Sequence, residues 1–255
     1  MESKMESETE RGGWRRHLLS LAAAAHDAEE IRAEYYRSKA ETAVKNLRRN
    51  LFEAHYADSL GQAKELLLSL IPEGAVVGCG DSHTLFAMDL EGSLSEKGCT
   101  VIPHVCVNRP FMEENGGFRD REEARRVTRE IIRNYLASDV FLLGANAITM
   151  DGQIVNVDGR GNRIAGSLYG PERVIVLAGA NKLVPDERAG RERAGFVSAA
   201  MNHVKYGKGE MPCMKAGVCL DCRHPERSCS ITTVIHRKPH DADFHVILVG
   251  EELGF

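Results

Sequence analysis

The chain has 255 residues, 43% of them hydrophobic, with 33 basic against 37 acidic side chains and a net charge of −4. That balance, without a lysine- or arginine-rich stripe, leaves no electrostatic footprint for nucleic acid, and no apolar run is long enough to span a bilayer. Seven cysteines, an odd number in a chain this long, do not read as a secreted disulfide framework and point to a reducing, cytoplasmic setting.

Residues 1–34 read as an arm, loosely ordered or helical. Trp14, Arg15 and Arg16 resemble a twin-arginine export signal, but Glu2, Glu6, Glu8 and Glu10 precede them and Asp27, Glu29 and Glu30 follow closely, against that reading. From Ile31 the spacing turns helical, through Tyr35, Ala43, Leu47 and Leu51. A second helix is expected over Leu60 to Leu70, closed by Pro72 and Gly74.

Short apolar runs then alternate with helices: Ala75–Cys79, Cys99–Val105, Asp139–Leu143, Arg173–Ala178 and Phe244–Val249. Their β-branched content and lack of alternation fit strands buried on both faces. Between two of them lies a helix with Asp120 as its expected N-cap, Glu123 three residues on, and Val127, Ile131 and Tyr135 on its apolar face. Ile154–Val157, Asp158, Gly159 and Ile164 suggest a hairpin or tight loop beside the main sheet. The expected fold is α/β, an open, mostly parallel sheet flanked by helices, in one domain over residues 35–255 with a cysteine-rich insertion at 211–230.

Three stretches carry chemistry. Cys213, Cys219, Cys222 and Cys229 fall within seventeen residues. A Cys-x2-Cys pair lets two thiolates reach one metal across a turn, and two flanking cysteines complete four-fold sulfur ligation. The irregular outer spacing suits a [4Fe–4S] cluster better than zinc, which stays the alternative, and His224 could replace one cysteine. The second stretch, Gly78, Cys79, Gly80, Asp81, Ser82, His83 and Thr84, follows a strand and enters an apolar segment. Its glycines allow a sharp turn, Ser82 and Thr84 are expected to cap a helix, and its amides to face a ligand. Asp81 speaks against a highly charged ligand, and His83 reads as a base or a cap. The third runs from Gly144 through Asn146, Asp151, Asn156, Asp158 and Asn162 to Arg163, starting where a strand stops. Asp151 and Asp158 are its candidates for proton transfer, the three asparagines for fixing substrate oxygens, and Arg163 and Lys182 for holding an anion.

The third stretch, with Leu168, Gly170, Pro171, Val174, Gly179, Asn181 and Lys182, closely resembles the LUD (lactate-utilisation) domain family. The match continues through Gly217, Cys219, Asp221, Cys222, Pro225, Arg227 and Cys229 to the ending Val249–Phe255, the branch with a C-terminal four-cysteine motif. It covers about Tyr35 to the C-terminus. Asp151 stands where other branches carry glutamate, and the glycine loop carries Asp81 and His83 where small neutral residues are commoner. The resemblance implies a fold like that of ribose-5-phosphate isomerases and CoA transferases, with ligand at the glycine loop and an acidic residue near Asn146–Asp151 doing the chemistry. It also implies a link to oxidation of lactate alongside iron–sulfur partner proteins.

Three functions follow as expectations. The first is an iron–sulfur component of cytosolic oxidation of lactate or a similar 2-hydroxy acid, relaying electrons or docking a partner. The second is a stand-alone enzyme on a small carboxylate or sugar-like substrate with an aspartate base. The third is a ligand-binding module with structural zinc. Homo-oligomerisation stays open.

Overall fold

The computed structural model describes residues 28–102 and 121–255. Cys106, Asp120 and most of the expected N-terminal arm lie outside these residues. Helix α1 (Ala28–Arg49) opens on Glu29 and Glu30 and closes on Arg48 and Arg49, charges that complement the helix dipole at both ends. It runs unbroken through the boundary expected at residue 34, and the stripe it buries is Ala40, Ala43, Val44 and Leu47.

The main sheet has six strands: β1 (Glu53–Ala57), β2 (Val76–Cys79), β3 (Thr100–Ile102), β4 (Val140–Gly144), β7 (Arg173–Gly179) and β10 (Asp243–Val249). Their order is β1-β10-β7-β4-β2-β3, and every neighbouring pair is parallel. Parallel strands need crossovers, and the helices in them cover both faces. One face packs Phe141, Leu143, Val176 and Phe244 against Leu47 of α1 and Tyr135 of α5 (Arg121–Tyr135). The other packs Leu142, Ile175, Leu177 and Ile247 against Leu67 of α2 (Leu60–Leu70) and against Leu85 and Leu94 of α3 (His83–Phe86) and α4 (Glu91–Glu96). The segment after the glycine loop is thus two short helices, split where Asp89 takes a positive φ of 46°.

The expected hairpin, β5 (Ala147–Thr149) and β6 (Ile154–Asp158), grows into a second sheet of order β8-β5-β6-β9, with β8 (Leu183–Val184) and β9 (Ile231–Ile235) on its edges. It packs Ala147, Val155 and Val157 on Ala194 and Ala199. Those two alanines sit in one helical run made of α7 (Glu187–Arg193), a π-helical turn over Ala194–Ser198 and α8 (Ala199–Lys205). Between α6 (Asn162–Leu168) and β9 the only other helix described after α8 is the short α9 (Pro212–Ala216), which opens the cysteine segment. No helix among the described residues is long and apolar enough to cross a membrane.

The turn of the β5–β6 hairpin docks on the end of α1. Asn46 Nδ2 donates to Met150 O at 2.7 Å and Asn50 Nδ2 to Gly152 O at 2.8 Å. Gly152 has φ +85°, and a Cβ there would stand 2.6 Å from the backbone of Asn46 and Leu47. Gly152→Ala is therefore expected to lose about 2 kcal/mol or more in urea unfolding. Gly92→Ala, where a Cβ meets nothing within 4 Å in α4, should lose nothing and gain up to about 1 kcal/mol.

Candidate functional site

Strands β2, β4 and β7 end at one edge of the main sheet, and a cavity of about 500 Å³ opens there. Asp81, Ser82 and His83 enter it after β2, Gly144 at the end of β4 with Ala145 and Asn146 following, and Lys182 after β7. β2 and β4 are neighbours from which the sheet order runs in opposite directions, the switch point where open α/β sheets collect ligands. The end of β6, the start of α6, the π-turn with α8, and residues 225–228 of the cysteine segment close the other sides. The glycine loop and the Asn146–Arg163 segment thus face one cavity, and the cysteine segment forms one of its walls.

Backbone proximity shapes the floor. A Cβ on Gly144 would lie 2.6 Å from Ser82 Oγ, so the bare glycine admits the serine. Gly80 donates its N–H to Leu142 O at 2.7 Å, and Gly78 sits in the strand against Phe141 and Ser138, outside the cavity lining. Ser82 takes the N-cap position of α3 without a side-chain cap bond. Helix α3 is one turn long, so side chains rather than a helix dipole set the charge here. Thr84 is buried and its hydroxyl lies between Lys182 Nζ, which donates to it at 3.2 Å, and Leu253 O at 3.3 Å.

The asparagines brace the loops against each other. Asn156, 1% exposed, accepts from the Asn146 amide at 2.9 Å, and Asn146 Oδ1 accepts from the Val157 amide and from Arg163 Nη2, both at 2.8 Å. Asn146 and Asn162 line the cavity; Asn156 lies behind it. Asp158 lines it too, but its carboxylate is engaged: Oδ1 accepts from the amides of Arg160 and Gly161, and Oδ2 from those of Arg163 and Ile164. It anchors the start of α6. Asp151 is not in the lining; it sits in the β5–β6 turn, bonded to Thr149 Oγ1 and Gln153 Nε2.

Cations dominate what remains. Lys182 is 2% exposed and makes no ion pair among the described residues. Burial, then the charges of Arg193 and Arg163, push its ammonium down to about 7. Arg163 spends its guanidinium on Val157 O at 2.6 Å and on Asn146, and burial lowers it as well. The carboxylate expected to repel a charged ligand is neutralised: Asp81 pairs with Lys205 and accepts from the Tyr206 hydroxyl. His83 packs against Phe255 with ring centres 5.0 Å apart and planes tilted by 43°, and burial followed by Lys205 lowers its imidazole below the usual range. Lys205, Tyr206 and Ser198 carry no signal in the sequence, because a lone lysine–tyrosine pair at a helix end forms no motif.

The cysteines lie around the π-turn, α8 and residues 225–228 without closing on one point. Cys213 Sγ lies 3.5 Å from His203 Nδ1, Arg227 Nε donates to Cys229 Sγ at 3.3 Å, and Cys219 Sγ lies 3.7 Å from where a Cβ on Gly195 would stand. Burial raises the Cys213 thiol, and Cys222 and Cys229 raise it further. Among the described residues no group of three or more His, Cys, Asp or Glu side chains is drawn in to metal-bonding distance. As chemistry the donor set fits a soft metal or cluster: four thiols on a segment without a core of its own, with N–H donors aimed at two sulfurs. Cys79 differs, since burial alone pushes its thiol up to about 12.

The family model described as "LUD domain" matches residues 40–249. Among solved structures, a DUF162 family protein from Deinococcus radiodurans aligns with a TM-score of 0.44 and 12% identity, over 84% of this chain and 98% of that one. No curated protein matches the chain.

The depressed Lys182 has a measurable signature. The unfolded chain holds the lysine proton up to about pH 10.5 and the folded chain only up to about 7. Between those values the unfolded state binds more protons, so stability rises with pH there; below 7 the full cost of the buried charge is present. Lys182→Met should remove that contribution. The stability difference, wild type minus variant, should rise by about 1.4 kcal/mol per pH unit from pH 7 to 10 in denaturant titrations.

Proposed function

The chain belongs to the LUD domain family, and from that membership we propose that its cavity binds lactate or a related 2-hydroxy acid, as part of an iron–sulfur component that oxidises it in the reducing cytoplasm. One observation carries this reading: Lys182 is a buried ammonium on the cavity floor, hydrogen-bonded to Thr84 and paired with no carboxylate among the described residues. A bound carboxylate supplies the missing partner, and Arg163 adds positive potential beside it. His83, held neutral at pH 7, is the side chain on this floor best suited to take a hydroxyl proton. Asp158 is the weaker candidate, with both oxygens engaged by amides. Oxidising a 2-hydroxy acid to its keto acid removes two electrons and two protons, one from the hydroxyl and one from the α-carbon, so it requires a two-electron acceptor on a partner protein. A [4Fe–4S] cluster on Cys213, Cys219, Cys222 and Cys229 would supply a one-electron relay toward iron–sulfur partner proteins. His203 beside Cys213 favours a second reading, a carboxylate-binding module with zinc on a mixed cysteine and histidine set.

Anaerobically purified protein should be brown and contain about four iron and four sulfide per chain. Serine at any of the four cysteines should cut that content sharply, and Cys99→Ser should leave it intact. Colourless protein carrying zinc would move the assignment to the second reading, and equal iron in all five variants would sink the ligand set.

Lactate binding should be coupled to a proton. If the carboxylate pairs with charged Lys182, affinity holds below pH 7 and falls above it by up to about tenfold per unit. Calorimetry in buffers of different ionisation enthalpy should report proton uptake near pH 8, and Lys182→Met should abolish both uptake and pH dependence.

A further inference from the structure

Two residues of the cavity wall also reach the cysteines. Arg227 lines the cavity, and its Nε donates to Cys229 Sγ at 3.3 Å while both terminal nitrogens lie 3.2 Å from Asp221 Oδ1. Ser228, next in the wall, donates its amide to His203 Nε2 at 3.0 Å, and His203 Nδ1 lies 3.5 Å from Cys213 Sγ. An imidazole nitrogen that accepts carries no hydrogen. Neutral His203 therefore holds its proton on Nδ1, aimed at the sulfur. His203 is 1% exposed, so water does not compete for that contact.

The wall is thin and stiff. A Cβ on Gly159 of the cavity loop would stand 3.2 Å from Ser228 Cα and 3.3 Å from Arg227 O. Two residues after Cys229, Ile231 pairs with Asp158 across the β6–β9 ladder. The loop that bears the cavity's Asp158 and the segment that bears the cysteines thus belong to one hydrogen-bonded sheet.

We propose that His203 and Arg227 are positioning residues that seat the cysteine centre against the cavity, so that an anion in the cavity and a metal on the cysteines oppose each other's binding. This rests on the reading above, that the cavity takes a carboxylate and the cysteines a metal. Four thiolates exceed the charge of a divalent ion by two, and Arg227, which lines the cavity, touches Cys229 Sγ of that set. Arg227 is the cation shared between the surplus and a carboxylate. Removing the arginine exposes each anion to the other. By linkage the penalty has one size, whichever ligand binds second.

The test uses the full-length chain, reduced and metal-free under anaerobic conditions, with Co²⁺ as the metal and L-lactate as the anion. Co²⁺ affinity, by chelator competition, should fall about 5–10-fold in saturating lactate, and lactate affinity should fall by the same factor in saturating Co²⁺. Arg227→Gln should widen that factor several-fold. A residue that only packed the wall would weaken cobalt binding and leave the factor unchanged. His203→Phe removes the N–H that stabilises the sulfur lone pairs, so the sulfur-to-cobalt charge-transfer band should move to longer wavelength. An unmoved band would overturn the role given to His203. Cobalt and lactate that both bind, each indifferent to the other, would overturn the coupling alone. A protein that binds no cobalt would remove the metal reading with it, and one that binds no lactate would remove the carboxylate reading with it.

Discussion

The cavity is organised around one buried amine that the protein leaves without a counter-ion among the described residues. Lys182 sits where β7 ends, 2% exposed, with the Thr84 hydroxyl as its hydrogen-bond partner. Burying an ammonium without a counter-ion costs stability, and proteins normally answer with a carboxylate or with a lost proton. Both carboxylates nearest the floor are committed elsewhere: Asp81 to Lys205 and Tyr206, Asp158 to the first amides of α6. Such a floor costs stability in the empty protein and gives it back when an anion enters.

The second sheet turns that floor into a chamber. Strand β6 carries Asn156 and Asp158 in its last turns of pleat, and β9 binds it in register from Ile154–Ile235 to Asp158–Ile231. Because Cys229 precedes β9 by only two residues, the ladder that shapes the anion floor also anchors the end of the cysteine segment. A segment with only one five-residue helix gains its placement from β9 on one side and from His203 of α8 on the other.

The central strands were legible because burial on both faces leaves a strand little but apolar residues, as in Phe141–Leu143 or Val174–Leu177. The edge strands β1 and β9 were not. β1 reads Glu-Ala-His-Tyr-Ala with an exposed first residue, and β9 reads Ile-Thr-Thr-Val-Ile with two exposed positions, so neither gives the continuous signal of a core strand. In the site, the density of Asn, Asp and Gly between Gly144 and Arg163 marked the right segment. It did not separate roles: Asp151 holds a hairpin turn, Asn156 holds a loop from behind, and Asp158 ties its own loop to the start of α6. The partner of Asp81 lies 124 residues away on α8, and pairing across that distance depends on how helices pack, which no local pattern records.

The π-turn at Ala194–Ser198 sets the facing of everything after it. A π-turn accommodates one residue more than an α-helical turn, and each residue of an α-helix turns the chain by about 100°. Helix α8 inherits that extra rotation, which directs Asn202 and Lys205 toward the cavity and His203 toward Cys213. Shortening residues 194–198 by one would leave the composition of the helix almost untouched and swing this whole set of side chains by more than a quarter turn. The anion floor would lose the latch on Asp81, and Cys213 its imidazole, in a single deletion. The helix therefore acts as an indexing shaft, whose one extra residue keeps two chemically different centres in phase.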